Sequence, residues 1–354
     1  MTPAPDAPAV LYPLQPDHPE LVAPFAAAAQ RSGARRLWLC QSFRAEPHQT
    51  LAYLAGRGHA VPVGTAVTLL PLRHPYEAAV QARSLSLLTG APSVAGFGIG
   101  SPGFVTGLAG QPYASPRRAV HGYLTSVRTL LDGGTVAHDG PYHRLHGALA
   151  QLPHAQVEVG AGVLRPGMAR TAGEAADVAI TWMTPPGYLA GTLAPAMAEG
   201  ARGRPAPPRI ATAVHVVPAA PGRDPRRLAL TATREHLAAP HYADTLRRAG
   251  IPVDPHDPDG TARALLDSGV VLTGTPEEIA EALGEYHRAG VDEVLLNPTA
   301  VLLTEGVHAA AEEVERIVAA CRAVRRPTAQ QQAAARRQHA AAEAAPAASG
   351  PLLG

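Results

Sequence analysis

VAGFGIGSPGF, Val94 to Phe104, places Gly98, Gly100 and Gly103 in the spacing G-x-G-x-x-G. In a dinucleotide-binding sheet this pattern opens a helix at once. An acidic residue then follows about 20 positions on, to hold a ribose hydroxyl. Neither condition is met. Pro102 sits inside the pattern, the next helical stretch is expected only from Ser115, and RRAVHGYL (residues 117–124) contains no acid. The stretch also follows the fourth apolar run of the chain rather than the first. The alternative is a strand-end turn whose glycines let a flat ligand approach the backbone.

The flanking segments say which strand ends there. The runs AVLYPL, RLWLC, VPVGTAV, SVAGFGIG, AQVEVGAG, VAITW, PRIATAVHVVP and DEVLLNP are apolar along their length and alternate with helical stretches. Continuous apolar strands suit a parallel sheet covered on both faces. About eight strand–helix units favour a (β/α)8 TIM barrel with insertions, with an open doubly wound sheet as the rival. In a barrel the glycine turn lies at the C-terminal face, where active sites gather.

Prolines and glycines punctuate the helices: Pro75 and Pro116 at first positions, Gly90 and Gly133 past the ends. GTPEEIAEALGEYHRAG offers a capping box between Thr275 and Glu278. Residues 135–152 read as a polar hairpin or loop, and 223–270 as irregular helix broken at IPVDPHDPDG. The expected organisation is a loose N-terminus over 1–8, one barrel domain over 9–326, and a disordered, low-complexity tail over 327–354.

The 354 residues carry a formal charge of +1, so no global field draws the chain to nucleic acid or an anionic membrane. No long apolar run or basic leader is present, which makes a cytoplasmic protein the expectation. Cys40 and Cys321 are too few for a disulfide framework, and Cys40 reads as a small buried hydrophobe. All 30 basic side chains are arginine. Schiff-base chemistry, pyridoxal anchoring and a P-loop lysine are therefore excluded. Any phosphate must be held by arginine, backbone N–H groups or a helix end. GVLRPGM supplies these where a strand passes into a helix, at Gly162, Arg165, Pro166 and Gly167. His138, His143 and His146 match no zinc spacing, and no metal site is expected.

Three segments together resemble the luciferase-like superfamily. VGTAVTLLPLRHP (Val63–Pro75) is similar to its third-strand segment, most of all in the branch that uses the deazaflavin F420. VGAGVLRPGMARTAGEAADVAITW (Val159–Trp182) resembles its phosphate-binding strand–helix unit, and VAGFGIGSPGF its fourth-strand turn. The resemblance spans about residues 9–325. It implies a cofactor site at Ala66, Val67, Thr68, Gly98, Gly100, Gly160, Ala161, Gly162, Val163, Arg165, Pro166, Gly167 and Met168. It also implies a non-prolyl cis peptide at Ala66–Val67. F420 is the cofactor expected, with FMN as the alternative.

F420-dependent alcohol and sugar-phosphate dehydrogenases of this superfamily carry an Asp-His pair where WLCQSF has Gln41 and Ser42. Neither of these titrates near neutrality, which argues against alcohol oxidation and leaves orientation of substrate or cofactor, or a simple strand-end cap. His74, with Gln41 and Ser42, forms the candidate catalytic set, with a cap on the helix after RHP as the favoured other reading of His74. Glu46, Tyr113 and Trp182 are candidates for the substrate wall. WLCQSFRAEPHQTLAYLAGRGH together with TLLPLRHP looks like the group that reduces dehydroalanine in lanthipeptides. The reading is an F420H2-dependent reductase acting on an electron-poor C=C or C=N of a small molecule or modified peptide. An FMN-dependent monooxygenase and a non-catalytic ligand-binding barrel are the rivals. Many relatives are dimers, so a homodimer is implied as the assembly.

Overall fold

The computed structural model describes residues 7–323, so the expected disordered tail and residues 1–6 of the expected loose N-terminus lie outside the described residues. Ala7 is buried, and the carbonyl of Pro8 accepts from the Arg35 N–H at 3.1 Å. The chain is thus packed from that point onward.

Eight strands close into a parallel barrel: β1 Ala9–Tyr12, β2 Leu37–Leu39, β3 Val63–Thr65, β4 Ser93–Gly98, β5 Val157–Gly162, β6 Val178–Trp182, β7 Arg209–Pro218 and β8 Glu293–Asn297. Each pairs with its sequence neighbour, and β8 returns to β1 through Leu295 and Ala9. This closure rules out the doubly wound sheet. The helices that follow the strands are α1 Ala23–Ser32, α2 Pro47–Gly56, α3 Pro75–Thr89, α4 Pro116–Leu131, α5 Pro166–Ala175, α6 Ala194–Gly200, α7 Pro276–Arg288 and α8 Val307–Ala323. Proline opens α2 to α5 and α7, where its missing N–H costs no bond and its fixed φ suits the first turn. The expected capping box is made: Glu278 N–H donates to Thr275 Oγ1 at 3.2 Å and Thr275 N–H to Glu278 Oε2 at 2.8 Å.

Among the elements that differ from the sequence reading are two at the glycine motif and beside β7. A helix does begin inside the glycine motif, at Pro102–Ala109, with Ser101 Oγ accepting from the Phe104 N–H at 3.2 Å. Gly103 is therefore a helical residue. The Ser-Pro pair is a start signal of the same kind as Ser115-Pro116, masked by the helix-poor glycines around it. The second is a short strand, Val271–Gly274, that pairs with the upper part of β7. Its four residues fell between a broken helix and a capping box, too short for a periodic signal.

Inside the barrel, small residues make room for large ones. A Cβ on Gly64 would lie 2.6 Å from the Trp38 ring, and one on Gly96 would lie 2.4 Å from Ile180 Cδ1. The N-terminal end is closed by a buried charge network. Glu293 Oε1 accepts from Trp38 Nε1 at 2.8 Å and from Arg36 Nε at 3.3 Å, while Arg35 and Arg209 approach its other oxygen. At the other end, the helices Pro225–Ala238, Pro240–Arg248 and Pro258–Asp267 between β7 and α7 pack Leu228, Leu246 and Leu265 against the barrel interior. Among the described residues, no helix is long and apolar enough to cross a membrane.

Candidate active site

The C-terminal ends of β3, β4 and β5 form a shelf. The Ala66–Val67 peptide is cis, the geometry the resemblance implied there. Val67 points at the glycines: a Cβ on Gly98 would lie 2.5 Å from Val67 Cγ2, and one on Gly162 would lie 3.6 Å from both Val67 methyls. Gly100, at φ 77°, turns the chain away from β4 into the Ser101 cap. Only glycine takes that conformation freely. Thr68 is buried and donates to the Gly96 carbonyl at 3.1 Å, pinning the segment to β4.

The other cofactor candidates divide by direction. Gly162 faces Val67, but Gly160 lies deeper, where a Cβ would come within 2.8 Å of Ile180 Cδ1. Ala161 and Val163 are buried on the opposite face, in the layer between barrel and helices. Pro166, Gly167 and Met168 form the first turn of α5, whose N-cap residue Arg165 makes no side-chain cap bond. First-turn N–H groups and the positive helix end favour an anion there. The Arg165 guanidinium sits 2.6 Å from Asp244 of the covering helices rather than standing free. A second arginine, missed in the sequence, stands beside this turn: Arg117 Cδ lies 3.5 Å from where a Gly167 Cβ would be. Its place, directly after Pro116 at the start of α4, was the available signal. These residues could hold a phosphate-bearing cofactor whose flat ring would face the Val67 shelf.

Gln41 and Ser42 support this shelf. The Gln41 N–H donates to the Val67 carbonyl at 3.1 Å, its Oε1 accepts from the Leu69 N–H at 3.2 Å, and its Nε2 donates to the Ser42 carbonyl at 2.7 Å. Ser42 is buried and its Oγ accepts from the Arg44 N–H at 3.0 Å. His74 is spent as a cap. Its Nδ1 accepts from the Tyr76 N–H at 3.2 Å, which leaves Nε2 as donor to the Arg144 carbonyl at 3.0 Å. Glu46 caps α2 through the Gln49 N–H at 2.9 Å and meets His48 at 2.8 Å and Arg73 at 3.2 Å. Burial alone would raise its carboxyl, but those contacts hold it below the usual range.

A groove of about 610 Å³ opens beside the shelf, between Leu70, Arg73, Tyr113, Tyr123 and Tyr142. Tyr113 stacks edge-on against Tyr142 at 5.2 Å. The hairpin Val136–Asp139 and Arg144–Gly147 forms its outer wall. There His143 stacks on His138 at 4.2 Å and meets Ser126 Oγ at 3.0 Å; burial, then His138 and His74, push its ring down to about 4. Trp182 stands apart from this groove, stacked on His236 at 5.3 Å above the interior. Desolvation pushes the Cys40 thiol, at the end of β2, up to about 12, which leaves no thiolate for nucleophilic work.

No curated protein matches the sequence closely enough to count. Among solved structures, the chain is similar to the coenzyme F420-dependent tetrahydromethanopterin reductase from Methanopyrus kandleri, at 19% identity and TM-score 0.67, over 87% of this chain and 98% of that one. It is also similar to an F420-dependent secondary alcohol dehydrogenase in complex with an F420–acetone adduct, at 18% identity and TM-score 0.65, over 87% and 98%. A third likeness, at 16% identity and TM-score 0.67 over 91% and 99%, is to the FMN-bound oxygenating constituent of 3,6-diketocamphane monooxygenase from Pseudomonas putida. At these identities the likeness establishes the fold. The family described as luciferase-like monooxygenase matches residues 4–293, and the chain belongs to that family.

Proposed function

We propose that this protein is a cytoplasmic reductase that uses F420H2 to reduce an electron-poor C=C or C=N, with dehydroalanine in a modified peptide as the specific substrate. The observation that carries the reading is the shelf of Val67 between Gly98 and Gly162, next to the first turn of α5 and Arg117. When bound, the deazaflavin supplies the hydride. The protein's residues would support the ring from one side and hold the phosphate at the first turn of α5. Reduction is favoured over alcohol oxidation because Gln41 and Ser42 do not titrate near neutrality and the Gln41 side chain is spent on bonds to the Ser42 carbonyl and the Leu69 N–H. With His74 also committed, the proton that completes the reduction is assigned to water in the groove beside Tyr113.

The test is anaerobic turnover of F420H2 with N-acetyl-dehydroalanine amide, followed by deazaflavin absorbance and by mass gain of the product. Deuteride transfer from 5-deuterated F420H2 to the product is expected. Oxygen-dependent turnover with reduced FMN, and none with F420H2, would instead establish the monooxygenase reading.

A further inference from the structure

We infer that His215 and Asn297 form a recognition pair for an uncharged carbonyl or amide group of the substrate, at the top of the barrel interior. The inference rests on placing the active site at this mouth, and it names the substrate chemistry there. His215 and Asn297 are register partners on β7 and β8. Both side chains follow the inward-facing series, Ala211 and Ala213 on one strand and Glu293 and Leu295 on the other. Both residues are 0% exposed.

The Asn297 amide is oriented by its neighbour. Its Oδ1 accepts from the Thr299 N–H at 3.1 Å and from the Thr299 hydroxyl at 2.5 Å. That fixes Nδ2, with its two donors, on the other side. Asn297 Nδ2, both ring nitrogens of His215 and the nearby Trp182 Nε1 have no hydrogen-bond partner among the described residues. Such groups are rare when buried and costly to leave unmade. Here they cluster at the ends of three adjacent strands, around an otherwise apolar lining of Leu11, Ala213 and Val217.

The chemistry they fit is specific. The Asn297 amide donates, and a neutral imidazole donates from one nitrogen and accepts at the other. Burial, and secondarily the His236 ring, hold His215 neutral, pushed down to about 3. A carbonyl oxygen therefore finds two donors and no counter-charge. A carboxylate brought to the same place would be a buried, unpaired charge. The rings of Trp182, His236 and Tyr242 form the cover, with His236 and Tyr242 edge-to-face at 4.8 Å on the segment between β7 and α7.

The test uses the full chain with ¹⁵N-labelled histidine and two small acetyl probes, N-methylacetamide and acetate. The His215 ring signals, assigned by their loss in His215→Phe, are expected to shift saturably with N-methylacetamide and not with acetate. Asn297→Leu and the isosteric Asn297→Asp should each weaken amide binding by about tenfold or more. Unshifted His215 signals, equal binding of acetate, or unchanged affinity in a folded Asn297→Asp would overturn the pair. Because no cofactor enters this titration, its failure is separate from failure of the F420 reading, which a parallel F420 titration reports.

Discussion

The side chain of Val67 occupies the space that a Cβ on Gly98 would need, with Cγ2 2.5 Å from that position. Gly98→Ala is therefore expected to push Val67 off the shelf, costing about 1–3 kcal/mol of stability by overpacking and weakening cofactor binding. Gly103 belongs to the same glycine motif, yet a Cβ there meets nothing within 4 Å and lies in the helix Pro102–Ala109. Gly103→Ala should be neutral or stabilising by up to about 1 kcal/mol. Urea unfolding of the two variants checks the contrast; equal effects would contradict it.

Gln41 acts on the shelf through backbone bonds to both Val67 and Leu69. Gln41→Leu keeps the size but leaves the Leu69 N–H and the Ser42 carbonyl without this partner. A loss of about 1–3 kcal/mol is expected, with faster amide exchange at Leu69. Gln41→Glu retains the acceptor and should protect the Leu69 amide. Hydrogen exchange that ignores both changes would show that Gln41 does not hold the segment.

The barrel was legible because its eight strands are predominantly apolar and five of the eight helices that follow them start at proline. The Gly162–Met168 turn was legible because strand, glycine and proline sit in one short run. Side-chain commitments were not. His74 and Glu46 are residue types that catalyse and also cap, and only the bonds to Tyr76 and Gln49 distinguish the two uses. Arg117 and Asn297 lie far in sequence from the residues they serve. The pairing of Arg165 with Asp244 depends on an insertion whose path no local pattern encodes.

His215 gives a pH dependence of defined sign. Its ring titrates at 6.5 when exposed but is pushed down to about 3 in the fold. Below pH about 6.5 the unfolded chain takes up a proton that the folded chain refuses, so stability falls with pH until about 3. At pH 5 the loss from this group is about 2 kcal/mol relative to neutrality. His215→Phe should remove that part of the slope in urea unfolding at pH 7 and pH 5. An unchanged slope would mean that the ring is not held neutral.

Glu293 is tied to Arg36 and Trp38 at the N-terminal end of the barrel, remote from the shelf. Glu293→Ala leaves the Arg36 guanidinium buried without that carboxylate. A destabilisation of about 3–5 kcal/mol is expected. Cofactor affinity measured on the folded fraction should not change, because sites of this fold lie at the opposite face. A stable variant, or one with selective loss of cofactor binding, would contradict this division.

The most direct measurement is equilibrium fluorescence titration of the purified protein with F420 and, separately, FMN, repeated for Arg117→Ala. Saturable F420 binding, clearly tighter than FMN and weakened about tenfold or more by the loss of Arg117, is the expected result. Tight FMN binding without F420 binding, or F420 affinity untouched in Arg117→Ala, would contradict the deazaflavin site placed on Val67 and α5.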